Sequence, residues 1–174
     1  MSTSLKWPSA SVEARLDTED GTVALTYASL LVEDIISSVR DDRAGATAVF
    51  VGTTRNSFKG KVVTRLDYQA YSRLAIKTMS SILDDARQHI CRSAHSPAGE
   101  AVPTLIKCAI HHRLGTVPVG EPSIVIAVSS PHRKESFLAC EYILEQVKLK
   151  AQIWKREFYE GAGEDEAEWK ANYA

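Results

Sequence analysis

The chain is poor in cysteine, in net charge and in long apolar runs, and each shortage removes a class of protein. Its three cysteines, Cys91, Cys108 and Cys140, are far apart and form no CxxC pair. That excludes a disulfide framework and a cysteine-built zinc site, and it leaves buried or half-buried thiols of a reducing compartment. The formal net charge over 174 residues is −1. No whole-molecule attraction to nucleic acid or an anionic membrane follows, so any basic site must be local. No run of about 18 apolar residues exists, and a transmembrane helix is not expected. Met1–Asp20 has neither an apolar run nor a small-residue cleavage pattern, so it is not a signal peptide, and Ser2 excludes N-myristoylation. A cytoplasmic protein is expected. Repeats, low-complexity blocks and a Walker-type loop are missing too.

What remains is ordinary globular material: 44% hydrophobic and 25% charged residues. Three parts are expected: a flexible leader over 1–21, a catalytic domain over 22–159 and an acidic tail over 160–174. Thr22–Tyr27 reads as a strand. Val32, Ile35, Ile36 and Val39 recur at helical spacing. Ala46–Gly52 is a nearly continuous apolar run, as in a buried strand. Val62, Thr64, Leu66, Tyr68 and Ala70 form the buried face of an alternating strand, reached through the polar, basic linker Thr53–Gly60. Ser72 opens a helix with the stripe Ile76, Met79, Leu83, Ala86 and Ile90. A Pro- and Gly-containing loop covers Ser93–Pro103. Leu105–Leu114 alternates again, with Ile106, Cys108, Ile110 and His112 on one face. A turn over Gly115–Pro122 leads to a short strand, Ile124–Val128, and then to a long helix from about Pro131 to Lys150. The order is β-α-β-β-α-β-β-α, an α+β domain with a mixed sheet and flanking helices.

Three basic constellations carry chemistry. Thr53, Thr54 and Arg55, with Lys59 and Lys61, sit in the linker, where cations and backbone N–H groups can meet an anion. The same spacing also suits a solvated hairpin loop. In Ser129-Ser-Pro-His-Arg133, Ser130 is placed as N-cap and Pro131 at the first helical position. His132 and Arg133 then fall in the first turn, where cations are disfavoured unless an anion is shared there. The third is Lys148 with Trp154, Lys155, Arg156 and Glu157. On a continuing helix, Lys148 and Lys155 share one face, about 10 Å apart along the axis. A lysine beside cations and an apolar wall has its pKa lowered and can act as nucleophile or base. An amphipathic helix end facing its own dipole accounts for these residues equally well. His89, His95 and His111 carry no assigned role, and His112 reads as a core or supporting residue. No metal site and no bound cofactor are expected.

Taken together, FVGTTRN (Phe50–Asn56), IHHRLGTVPVGEPSIVIAVSSPHR (Ile110–Arg133) and Lys148 with WKRE (Trp154–Glu157) resemble the large, catalytic subunit of molybdopterin synthase. The likeness runs from about Thr22 to Glu157. It implies an α/β hammerhead-type α+β fold and a homodimer of large subunits. Each would bind a small ubiquitin-like subunit with a thiocarboxylated C-terminus, giving a heterotetramer. The implied reaction moves sulfur from that thiocarboxylate to cyclic pyranopterin monophosphate, making the dithiolene of molybdopterin. The implied site is Thr53, Thr54, Arg55, His132, Arg133, Lys148, Lys155, Arg156 and Glu157. Lys148 would act near the thiocarboxylate carbonyl, Lys155 would move a proton or hold the pterin, and Arg55, His132 and Arg133 would bind the cyclic phosphate. Gln152 and Ile153 stand where family members often carry proline, so the helix is expected to run on past Lys150.

Sixteen residues of helix separate His132 from Lys148, roughly 24 Å. One small substrate cannot touch both within a chain, so either the helix bends sharply or the site is completed across the dimer, and the second is expected. A non-catalytic pterin- or phosphate-binding module is the main alternative. An RNA-binding domain is disfavoured by near-neutral charge, the acidic tail and few aromatics among the basic residues.

Overall fold

A computed structural model describes residues 7–91 and 102–172. The expected loop at Ser93–Pro103 lies almost wholly outside them. The architecture is α+β, as read from the sequence. One mixed sheet has the order β1 (Ala14–Thr18), β2 (Gly21–Thr26), β6 (Lys107–Arg113), β8 (Pro122–Ser130), β3 (Ala46–Thr53). Only β2 and β6 run parallel there; the other pairs are antiparallel.

Alternation in the central strands dictates how helices cover this sheet. Cys108 and Ile110 of β6, with Ile126 and Val128 of β8, face α2 (Ser72–His89) and α3 (Arg133–Lys150), packing against Met79, Ile82 and Ile143. The residues between them, Ala109, Val125 and Ala127, face Ile35 of α1 (Val32–Ser38) and Val39, the residue that follows it. Strand β8 is buried on both faces, which explains its unbroken apolar run. Strand β3 has a similar run but is the sheet edge. Val49 and Val51 are 37% and 36% exposed, so the buried strand expected there is half-open instead.

A second, antiparallel sheet has the order β10 (Lys170–Ala171), β9 (Ile153–Tyr159), β5 (Lys61–Ala70), β4 (Ser57–Phe58), and β7 (Gly115–Pro118) also pairs with β5. The linker Thr53–Gly60 therefore contains a short strand and a two-residue turn. Lys59 and Gly60 both have positive φ, 49° and 79°, the geometry that matches strand twist. The stretch expected as a turn at Gly115–Pro122 begins with β7. Gly115, at φ 77°, lets the chain swing from the first sheet into the second. A Cβ there would lie 2.9 Å from the Tyr27 ring.

Three further expectations change. In β5, Val63 and Asp67 are buried while Val62 and Thr64 are exposed. The pairing with β9 skips a residue between Val63 and Arg65, and this bulge flips the face of the strand's first third. The presumed leader is packed from Trp7 onward and contains β1. Val12 N–H donates to Ser72 Oγ (3.0 Å), Ala70 N–H to Ser11 Oγ (3.1 Å) and Tyr27 OH to the Ser11 carbonyl (2.7 Å). These anchors are polar, so hydrophobic periodicity carries no trace of them. The acidic segment likewise returns to the body as β10. Among the described residues Cys91 is exposed, whereas Cys108 and Cys140 are buried. No helix of the described residues is long and apolar enough to cross a membrane.

Candidate functional site

Where the two sheets meet, a cavity of about 410 Å³ opens. The geometry that builds it starts at the end of α3. That helix stops at Lys150, and Ala151 is already extended at φ −71°, ψ 139°. The expected continuation past Gln152 does not occur. Ile153 is buried in the pairing with Ala70, so β9 wins the segment for the second sheet. The chain reversal brings Lys148, on the last helical turn, and Lys155, on β9, to the same cavity. Two amines that a straight helix would set on one rod instead face a common hollow.

Strand alternation then sorts the WKRE segment. Lys155 and Glu157 line the cavity, with Lys155 Nζ 3.7 Å from Glu157 Oε1. Glu157 also accepts a hydrogen bond from Tyr159 OH. Burial, that hydrogen bond and the carboxylate charge push the Tyr159 hydroxyl up to about 12. Arg156 turns away: it pairs with buried Asp67 at 3.2 Å and lies 4.7 Å from the Trp169 ring centre. It does not line the cavity expected of it.

The linker divides similarly. Thr53 and Arg55 line the cavity, and Arg55 lies over the Phe58 ring at 5.7 Å. Thr54 is 2% exposed and serves the fold, donating from its hydroxyl to the Val117 carbonyl at 3.4 Å. His132 and Arg133 lie at the other end of α3. His132, in extended geometry, is the N-cap, so the helix starts two residues later than expected and Ser130 is not its cap. Ser130 Oγ instead donates to the His132 carbonyl at 2.6 Å. His132 Nε2 is buried without a hydrogen-bond partner among the described residues.

Sequence reasoning gave His112 only a supporting place, and it missed Tyr68 and Asn172. His112 is 1% exposed and reaches the cavity wall. Its Nδ1–H donates to the Arg113 carbonyl at 2.8 Å, and its ring meets Tyr68 edge-on at 4.9 Å. The alternation of His112 with Cys108 and Ile110 was the available signal; it marked burial but not the cavity. The motif around it closes structurally, because Arg113 pairs with Glu121 across the β7 excursion and Gly115 makes the turn.

A hollow of about 570 Å³ lies on the opposite face of the first sheet, against α1. Its walls include Leu25, Leu30, Ile35 and His111, and no lysine. It is the larger space, but the amines and the motif residues converge on the other one.

Burial depresses both histidines of β6 to about 4; beside His111, Arg15 adds to the effect and Asp17 opposes it. The unfolded chain therefore takes up protons first as pH falls. Stability from His112 is complete above about 6.5 and is lost as pH drops through 4. The loss attributable to His112 is on the order of 2–3 kcal/mol. Urea-unfolding free energies measured between pH 7 and 4 should fall less steeply for His112→Gln. An unchanged slope would contradict the buried, neutral ring.

An α+β domain whose two sheets enclose two lysines, an arginine and a carboxylate presents a polar cavity whose cations can meet an anion. The family model described as MoaE protein matches residues 25–150. The chain belongs to the MoaE family. It is 47% identical over 155 residues to a molybdopterin synthase catalytic subunit of Pyricularia oryzae, covering 88% of this chain and 76% of that one. It is 40% identical over 161 residues to the catalytic subunit of Taeniopygia guttata, covering 92% and 94%. The crystal structure of molybdopterin synthase from Staphylococcus aureus superposes with a TM-score of 0.71 at 29% identity, covering 84% of this chain and 94% of that one. A complex of subunits 1 and 2 of the molybdopterin-converting factor from Helicobacter pylori shares the fold, with a TM-score of 0.61 at 19% identity over 80% and 86%.

Proposed function

We propose that this chain is the sulfur-transferring catalytic subunit of a molybdopterin synthase. It would convert cyclic pyranopterin monophosphate to molybdopterin with sulfur from the thiocarboxylated C-terminus of a small ubiquitin-like subunit. Family membership supplies the reaction class, an enzymatic step of molybdenum cofactor biosynthesis. The convergence of Lys148 and Lys155 on one cavity carries the assignment of the site.

In this reading Lys148 acts at the thiocarboxylate carbonyl. Lys155, in contact with Glu157, moves a proton or holds the pterin. Arg55 meets the cyclic phosphate at the mouth, while Thr54 and Arg156 support the fold and leave the list of binding residues. An adjoining hollow of about 310 Å³ shares Phe58 and Glu157 with the cavity and is flanked by Lys59, Lys61 and Lys170. Its cations suit the anionic tail of the small subunit. A complex of the two subunit types, as in the Helicobacter pylori assembly, supports that partner.

His132 and Arg133 enter from a second copy of the chain. The roughly 24 Å of α3 between His132 and Lys148 prevents one small substrate from touching both ends. The orphaned His132 Nε2 supports a contact supplied from outside the chain.

The decisive assay combines the purified chain, a thiocarboxylated small subunit and cyclic pyranopterin monophosphate, with the pterin followed by mass spectrometry. Gain of two sulfurs is the expected result. If none is gained while the same partner works beside a known large subunit, the chain is a pterin- or phosphate-binding module instead.

A further inference from the structure

We propose that Asn172 reads the substrate: together with His112 it forms a hydrogen-bonding edge of the cavity that recognises the amide-like edge of the pterin ring. This rests on the substrate class proposed above. Asn172 lies beyond the matched residues 25–150 and reaches the cavity through the C-terminal segment. Strand β10 pairs Lys170 with Lys155 and Ala171 with Trp154, so Asn172 follows two positions after the partner of Lys155, on the strand face that Lys170 shares. The segment is tied down on its way. Arg65 pairs with Glu164 at 2.7 Å, and Arg156 stacks 4.7 Å from the Trp169 ring centre.

The orientation of the carboxamide follows from His112. A neutral imidazole has one donor and one acceptor. Because Nδ1–H is given to the Arg113 carbonyl, Nε2 is the acceptor, and it faces Asn172 Nδ2 at 3.5 Å. Asn172 then retains its carbonyl oxygen and a second N–H for a ligand. A carboxamide pairs in bidentate fashion with a heterocycle edge that offers one donor and one acceptor. The 2-amino-4-oxo edge of a pterin has that pattern. The neighbouring walls, Phe50, Phe58 and Tyr68, are flat and largely apolar, as a bicyclic ring requires. The cations of the cavity address the substrate's charge but cannot distinguish one ring from another. Asn172 supplies that discrimination.

The test uses the full chain with Asn172→Ala and Asn172→Gln. Four quantities are read: thermal midpoint, kcat and KM for cyclic pyranopterin monophosphate in the sulfur-transfer assay, and affinity for the same compound from isothermal titration calorimetry. For Asn172→Ala, KM is expected to rise about tenfold, the loss of one well-placed hydrogen bond. The kcat should stay within about twofold and the thermal midpoint should hold, with Asn172→Gln recovering part of the affinity. Unaltered KM and affinity in Asn172→Ala overturn the proposal, and so does a lowered midpoint accompanied by normal KM. If the wild-type chain transfers no sulfur, the reaction assigned above fails, and the calorimetric titration still decides this point. Weaker binding by Asn172→Ala upholds the pterin edge. Equal binding, or no binding by the wild type, refutes it.

Discussion

Lys148→Ala is expected to lower sulfur transfer by about 10²–10⁴-fold, the range for losing a positioned proton-transfer or nucleophilic group. The protein should otherwise be intact. Lys148 is exposed on the last turn of α3, and the buried residues of that turn and the one before are Val147 and Ile143. Removing an exposed side chain changes stability by no more than about 0.5 kcal/mol. Steady-state kinetics and a urea melt of the same preparation separate the two effects. A variant that keeps turnover within tenfold of wild type would remove Lys148 from the chemistry. A raised KM at constant kcat would reduce it to a binding cation.

The second large effect comes from mixing two inactive variants. Lys148→Ala and Arg133→Ala homodimers should each be nearly inert, yet co-refolded together they should recover about one quarter of wild-type activity. The number follows from two-fold symmetry. Half of randomly assembled dimers contain one chain of each kind. In such a dimer, one site combines both lesions and the other combines intact Lys148 with intact Arg133. If each site were built within a single chain, every site in the mixture would carry one lesion and no activity would return. The assay therefore distinguishes a shared site from two self-contained ones. It needs no structure of the dimer.

How much of this was legible in the sequence depends on the kind of signal. Elements held by apolar periodicity were readable: the stripe of α2, the two-faced run of β8 and the alternation of β6 all follow from what they bury. Elements held by polar contacts were not. Residues 8–13 lack a pattern because Ser11 and Val12 are fixed by hydrogen bonds to distant partners. The end of α3 was misread for a related reason. Nothing local stops the helix at Lys150; the pairing of Ile153–Tyr159 with β5 does, and that is a long-range choice.

The site shows the same division. Lys148, Lys155 and Arg55 were visible as charges in an unusual setting, and Glu157 came with the motif. Arg156 was included by adjacency and excluded by strand alternation, since neighbours in a strand face opposite sides. Thr54 was lost by the same rule. Asn172 left no trace because a lone asparagine in an acidic stretch has no periodicity and no charge; only the β10–β9 pairing brings it in.

That pairing scheme also governs the order in which the molecule can assemble. Gly21 is paired in register with Cys108, and Val63 with Tyr159, so both sheets join segments far apart in the sequence. Loop-closure entropy must be met before such contacts repay it, which makes this topology intrinsically slow to fold. The cavity draws its walls from β3, β4, β5, β6, β8, α3 and β9 and from Asn172, and it cannot exist until all of them have docked. Until then β5 offers one open edge, a template for mispairing with another chain. Docking of β9 thus does two things at once: it brings Lys155 and Glu157 to the cavity, and it covers the open edge of β5.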